Sequence, residues 1–148
     1  MIREALRVWR SGGEHSPVER DQLIQLWIEA EVLRLTNIRA SQLRSVGTPG
    51  PEGSVSKILA AEHNKRVTSF VVDLLGAGGM LYTSYDMDRP GASMEWDCDQ
   101  KAFLRMRANS IEGGTTEVMK NILGERVLGL PGDVRVDREV PWSQVPRN

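Results

Sequence analysis

Four small groups of residues have types and spacing that could do chemistry. They are the cluster Gly76-Ala77-Gly78-Gly79, the turn Ser110-Ile111-Glu112-Gly113-Gly114-Thr115-Thr116-Glu117, the two histidines, and the single cysteine. The turn offers the most. A helix opening after Gly114 leaves its first amides without intrahelical partners, and these amides together with the helix dipole suit an anion or the polar edge of a cofactor. An ordinary N-cap explains the same residues: Thr115 or Thr116 caps, and Glu117 complements the dipole. Glu112, just ahead of two glycines, could act as a general base if its surroundings tuned its pKa; a solvated turn carboxylate is the plainer alternative. Gly76 to Gly79 has the composition of a phosphate loop, but such a loop follows a strand and opens a helix. This one closes a helix, so it reads as a C-cap and tight turn, with close approach of a ligand to the backbone left open. His15 and His63 lie in different elements without metal-ligand spacing, so no metal site is expected. Cys98 sits between Asp97 and Asp99, whose charges raise a thiol pKa and disfavour a nucleophile.

The elements that must position these groups are helices. Residues 2–10 place Ile2, Ala5, Leu6 and Trp9 on one stripe and stop at Ser11-Gly12-Gly13. Ser16-Pro17-Val18-Glu19 is a capping box with proline at the first helical position. The helix it starts keeps apolar spacing through Leu23, Ile24, Trp27, Ala30, Leu33, Leu35 and Ile38 until Gly47-Thr48-Pro49-Gly50-Pro51. Such a helix is about 45 Å long and needs a packing partner along its length. A third helix fits Ser54 to Leu75, with Val55, Ile58, Leu59, Val67, Phe70, Val71, Leu74 and Leu75 on its apolar face. Residues 80–98 read as an ordered loop, Asp99 to Ala108 as a short helix, and Thr116 to Leu128 as a last helix with Val118, Ile122 and Val127 inward. Gly132 to Asn148 has no helical period and is expected to be an extended arm. No repeat and no persistent strand pattern occurs. The predicted class is all-α, an antiparallel helical bundle over residues 1–131 with a tail over 132–148.

Composition narrows the setting. The 148 residues suit one domain, and 40% hydrophobic residues argue against general disorder. Nineteen basic against twenty acidic residues show no electrostatic footprint for nucleic acid. No run approaches the roughly 20 apolar residues of a membrane span, and Arg3, Glu4, Arg7 and Arg10 interrupt any signal-peptide core. One cysteine forms no internal disulfide, which points to a reducing, cytoplasmic compartment.

The stretch from Ser110 to Pro131, SIEGGTTEVMKNILGERVLGLP, resembles the C-terminal signature of acyl-CoA dehydrogenases. Asp73-Leu74-Leu75-Gly76-Ala77-Gly78-Gly79 is similar to that family's Gln-x-x-Gly-Gly-x-Gly segment, and the helices from Pro17 and Ser54 follow the family's order. The resemblance covers nearly the whole chain and implies the C-terminal four-helix domain, with residues 2–10 as the end of a truncated first long helix. It also implies FAD as cofactor and an acyl-CoA thioester as substrate in the complete enzyme, an oxidoreductase of fatty-acid metabolism. A glutamate takes the α proton and FAD takes the β hydrogen as hydride. Aligned on Gly114-Thr115, the usual base position holds Gly113, and relatives with glycine there carry the base on the first long helix. Glu112, one residue earlier, is the catalytic candidate left on this chain. Thr115 and Glu117 match flavin-contacting positions. Asp73 stands for a glutamine that holds FAD across a dimer, and Ala77 for a glycine beside Gly76. The family's arginine-and-phenylalanine FAD motif is replaced by Ser11 to Ser16. The implied role is one wall of a flavin site and part of a homo-oligomer, or of a hetero-oligomer with a longer acyl-CoA dehydrogenase chain, without turnover alone. The alternatives are a non-catalytic partner subunit and a plain helical interaction module. A bundle lacking most of one helix is expected to leave Leu23, Trp27, Val67 or Phe70 uncovered.

Overall fold

Ser16 sets where the longest element begins. Its hydroxyl accepts from the Glu19 amide at 3.2 Å, and the Glu19 carboxylate accepts from the Ser16 amide at 2.7 Å. This closes the expected capping box, with Pro17 at the start of α2, Pro17–Val46. A computed structural model describes residues 1–47, 50, 52–82, 98–132 and 140–145. Among them lie four further α-helices: α1 (Ile2–Ser11), α3 (Glu52–Leu74), α4 (Asp99–Met106) and α5 (Thr116–Arg126). No strand occurs among the described residues, and no helix there is long and apolar enough to cross a membrane.

The helix α3 is the centre, packing against all four others. Its residues Val67, Phe70 and Val71 meet Ala5 and Val8 of α1 and Leu23 and Leu26 of α2 in one buried cluster. Glu29 of α2 meets His63 and Arg66 of α3, while Asp21 and Asp73 line one groove nearer the opposite ends, so α2 and α3 run antiparallel. Trp9 closes the end of the cluster, stacked between His15 and Phe70 at ring-centroid distances of 3.6 and 6.3 Å.

Several expectations need correction. Leu23, Val67 and Phe70 are buried, Val67 to 1% exposure, because α1 lies over them; of the four residues named, Trp27 alone is half exposed. Val118 in α5 and Val127 immediately after it face outward instead of inward. The helix turns Thr116, Met119 and Leu123 toward the body, a stripe at i, i+3 and i+7, which puts Val118 on the opposite side. The short helix ends at Met106 and continues as a tight 3-10 turn from Arg107 to Ser110. Most of the expected ordered loop, residues 83–97, lies outside the described residues, as do 133–139 and 146–148 of the tail. Within the tail, Trp142–Gln144 forms a 3-10 turn.

Candidate functional site

The turn before α5 is assembled from three elements. After the 3-10 turn, the Ile111 and Glu112 amides both donate to the Ala108 carbonyl at 2.9 Å, which reverses the chain. Gly113 and Gly114 follow with φ of +65° and +102°, backbone that side chains other than hydrogen rarely adopt. Lys57 on α3 donates its ammonium to the Gly114 carbonyl and pins the turn to the central helix. Thr115 then caps α5, its hydroxyl oxygen accepting from the Val118 amide at 3.2 Å. Helix geometry leaves the Thr116 and Glu117 amides without intrahelical acceptors, at the positive end of the dipole. Thr116 itself is buried, and Glu117 is exposed.

Glu112 does not stand free. Arg105 grips both its oxygens, Nη1 to Oε1 at 3.0 Å and Nη2 to Oε2 at 2.5 Å. The pairing with Arg105 holds this carboxyl below the usual carboxylate range, with a smaller contribution from Lys57. A lowered pKa makes Glu112 a weaker proton acceptor in this arrangement. Arg105 and Glu112 also border a cleft of about 430 Å³ between α1, α3 and α4, with Asn64, Thr68, Asp99 and Asn109 among its polar lining. Burial pushes the Asp99 carboxyl up, aided by Glu4 and opposed by the Arg7 guanidinium, which donates to it at 3.2 Å.

The second glycine cluster forms a 3-10 turn, Gly76–Met80, directly after α3. Gly76 has φ of +53°, and neither it nor Gly78 has an atom where a Cβ would point, so the backbone there is open to approach. At Gly79, by contrast, a Cβ would lie 2.5 Å from the Val72 carbonyl oxygen. Gln100 of α4 donates to the Gly78 carbonyl at 2.9 Å. Asp73 and Ala77 are exposed. Asp73 borders a groove between α2 and α3 that also holds Lys65, Arg66 and Arg107.

The predicted site residues therefore fall into two groups. Glu112, Thr115 and Glu117 share the turn that opens α5, while Asp73, Gly76 and Ala77 share the turn that closes α3. Helix α4 touches both, through Gln100 and Arg105. Sequence reasoning missed Lys57, Gln100 and Arg105. Arg105 lies two helical turns before Glu112, a spacing that could have flagged it; Lys57 is 57 residues from its acceptor and left no local signal. His63 is buried and bonded to Glu29 at 3.3 Å, and the described residues hold no cluster fit for a metal ion.

Residues 10–128 match the family model described as acyl-CoA dehydrogenase, C-terminal domain. The acyl-CoA dehydrogenase IpdE1 of Mycolicibacterium smegmatis is 30% identical over 126 residues, 85% of this chain and 29% of that protein. IpdE1 of Mycobacterium tuberculosis is 30% identical over 126 residues, 85% of this chain and 30% of that one. In fold, the chain is similar to one in the crystal structure of the ChsE4-ChsE5 complex from Mycobacterium tuberculosis. The TM-score is 0.66 at 22% identity, over 89% of this chain and 35% of the other. The chain thus spans less than a third of the length of the two IpdE1 relatives. The family model matches most of the chain, and this chain belongs to the acyl-CoA dehydrogenase family through that family's C-terminal domain.

Proposed function

We propose that this chain supplies the C-terminal wall of the flavin site in a FAD-dependent acyl-CoA dehydrogenase, and that it does so within a larger assembly. The observation that carries this is the turn opening α5: two successive glycines at positive φ, a threonine cap and a lysine clamp from α3. FAD fits this surface in part. Open backbone at Gly76, Gly78 and Gly113 admits a flat group, and the Thr116 and Glu117 amides suit its polar edge. The Thr115 hydroxyl uses an oxygen lone pair for the cap and keeps its proton to donate. Asp73 fits a hydroxyl of the cofactor, to which it would act as acceptor, and repels a diphosphate. When bound, FAD supplies the acceptor for the hydrogen removed from the acyl chain. The chain's own residues orient that group, and the cleft beside Glu112 is where an acyl thioester would meet it. Glu112 is this chain's candidate base, and it reaches that role only when Arg105 releases it.

The test is to purify the chain alone and together with a longer acyl-CoA dehydrogenase chain, and to record flavin absorbance and turnover of an acyl-CoA. Flavin bound in either preparation, with turnover confined to the assembly, is the expected result; flavin in neither overturns the proposal. Glu112→Gln should abolish turnover by the assembly. Full turnover in that variant places the base elsewhere and leaves this chain as a non-catalytic partner subunit.

A further inference from the structure

The clasp that weakens Glu112 as a base also shows what releases it. Arg105 sits in the last turn of α4 and donates from both Nη1 and Nη2, one to each oxygen of Glu112. Neither side chain has another hydrogen-bond or ion-pair partner among the described residues; Lys57 adds only a weaker attraction to Glu112. The two side chains are 42 and 48% exposed, so the pair contributes little and opens at small cost. Glu112 lies in the turn beyond α4, and rotation of its side chain alone parts it from Arg105. The guanidinium is another matter. It stays ionised at any working pH, so once Glu112 leaves, its charge stands without a partner at the edge of the cleft.

That cleft, about 430 Å³, has an apolar floor of Val67, Val71, Ala102 and Met106, all buried. Arg105 is the only side-chain cation among the described residues that line it. Besides Glu112, its charged lining is Glu4 and Asp99, and Arg7 binds both of these. A ligand lying on the floor therefore meets one cation whose partner can leave. Glu112 itself shows what that cation takes, a planar carboxylate with two oxygens on two nitrogens. A hydroxyl or keto group would leave Arg105 without a counter-charge. The phosphates of a coenzyme call for more cations than one, and the apolar floor suits a carbon chain. We infer that the acyl group taken by this site carries a second carboxylate, which replaces Glu112 on Arg105 and frees Glu112 to face the α carbon. This rests on the reading of Glu112 as candidate base, and it makes Arg105 the residue that sets specificity. The guanidinium keeps one carboxylate partner throughout. Because Arg105 and Glu112 start in direct contact, the second carboxylate and the α carbon lie only a few bonds apart, as in a succinyl or glutaryl group. A plain fatty acyl chain leaves the clasp shut and the base engaged.

Titration calorimetry of the purified 148-residue chain tests this with thioesters of N-acetylcysteamine, which lack the phosphates of coenzyme A. The glutaryl thioester should bind about tenfold more tightly than the hexanoyl thioester. Arg105→Met should erase that preference, and Arg105→Lys should recover only part of it. Glu112→Gln should act in the opposite direction and tighten glutaryl binding about threefold, because the competing carboxylate is gone. A pair that only braces the turn would weaken binding in both variants, and so would misfolding. Four outcomes overturn the inference: no binding of the glutaryl thioester, equal binding of the hexanoyl thioester, weaker glutaryl binding in Glu112→Gln, or coenzyme A alone binding with the same dependence on Arg105, which assigns the guanidinium to a phosphate. Flavin takes no part in these titrations. A chain that selects the carboxylate yet acquires flavin in neither preparation keeps this inference and overturns only the function proposed above.

Discussion

The two glycine turns look alike as strings of letters and differ in nearly everything else. Gly76–Met80 follows the carboxyl end of α3 and is closed by two local backbone bonds, Gly78 to Leu75 and Leu81 to Gly78, both at 3.1 Å, with one bond from outside, Gln100 to the Gly78 carbonyl. Gly113-Gly114 precedes the amino end of α5 and is held from outside, by Lys57 at one carbonyl and by Arg105 at the neighbouring carboxylate. One turn sits at the carbonyl pole of a helix dipole, the other at the amide pole. Helix polarity therefore separates their chemistry. The first offers open backbone for a flat group to lie against; the second offers donors, with one acid kept ionised beside them.

The contrast is sharpest in substitutions to alanine. Gly114→Ala should cost the chain about 2 kcal/mol, because φ of +102° lies outside even the left-handed region that other residues visit. Its Cβ would also press on the Met119 methyl at 2.3 Å, so that side chain must move. Gly76→Ala should cost only about 1 kcal/mol, since φ of +53° is left-handed helical and the space beside it is empty. Thermal melts of the two variants measure the difference, and equal losses would remove the distinction between the two turns. Next in size is the cap. Thr115→Ala should lose about 1 kcal/mol and fray α5, whereas Thr115→Ser should be nearly silent. An alanine variant that melts with wild type would show that the cap contributes little. The smallest effect belongs to Glu112. Its pKa is depressed below the ordinary 4.5 by Arg105, so the pair's contribution is present above that value and is lost as pH falls through the depressed one. The stability gap between wild type and Glu112→Gln should therefore narrow on acidification below about pH 4.5. A gap that widens there contradicts the assigned pairing.

Much of the helical layout is legible residue by residue. Ser16 and Glu19 sit three apart and cap one another, and Gly12, Gly47 and Gly76 stand immediately after or close to helix ends. The choice between Thr115 and Thr116 as cap was open in the letters, since either hydroxyl could accept from an amide of the first turn. Burial of Thr116 against the body decides it for Thr115. Val118 and Val127 were misplaced for a related reason. An eleven-residue helix with apolar residues on several sides has no unambiguous inner stripe, and its orientation follows from which side α3 and the glycine turn present to it.

The fate of the two carboxylates draws the same line. That Glu112 precedes a glycine turn is local information, because backbone sterics and hydrogen bonds over three or four residues depend only on neighbours in the chain. That it is clamped by Arg105, and that Lys57 holds the turn, depends on where α3 and α4 lie. Leu23, Val67 and Phe70 are likewise covered only because α1 folds back over them. Helix starts, glycine positions and the family signature are written in chain order. Which faces are covered, and which charges meet, is settled by burial, since apolar area leaves water only when separate helices come together.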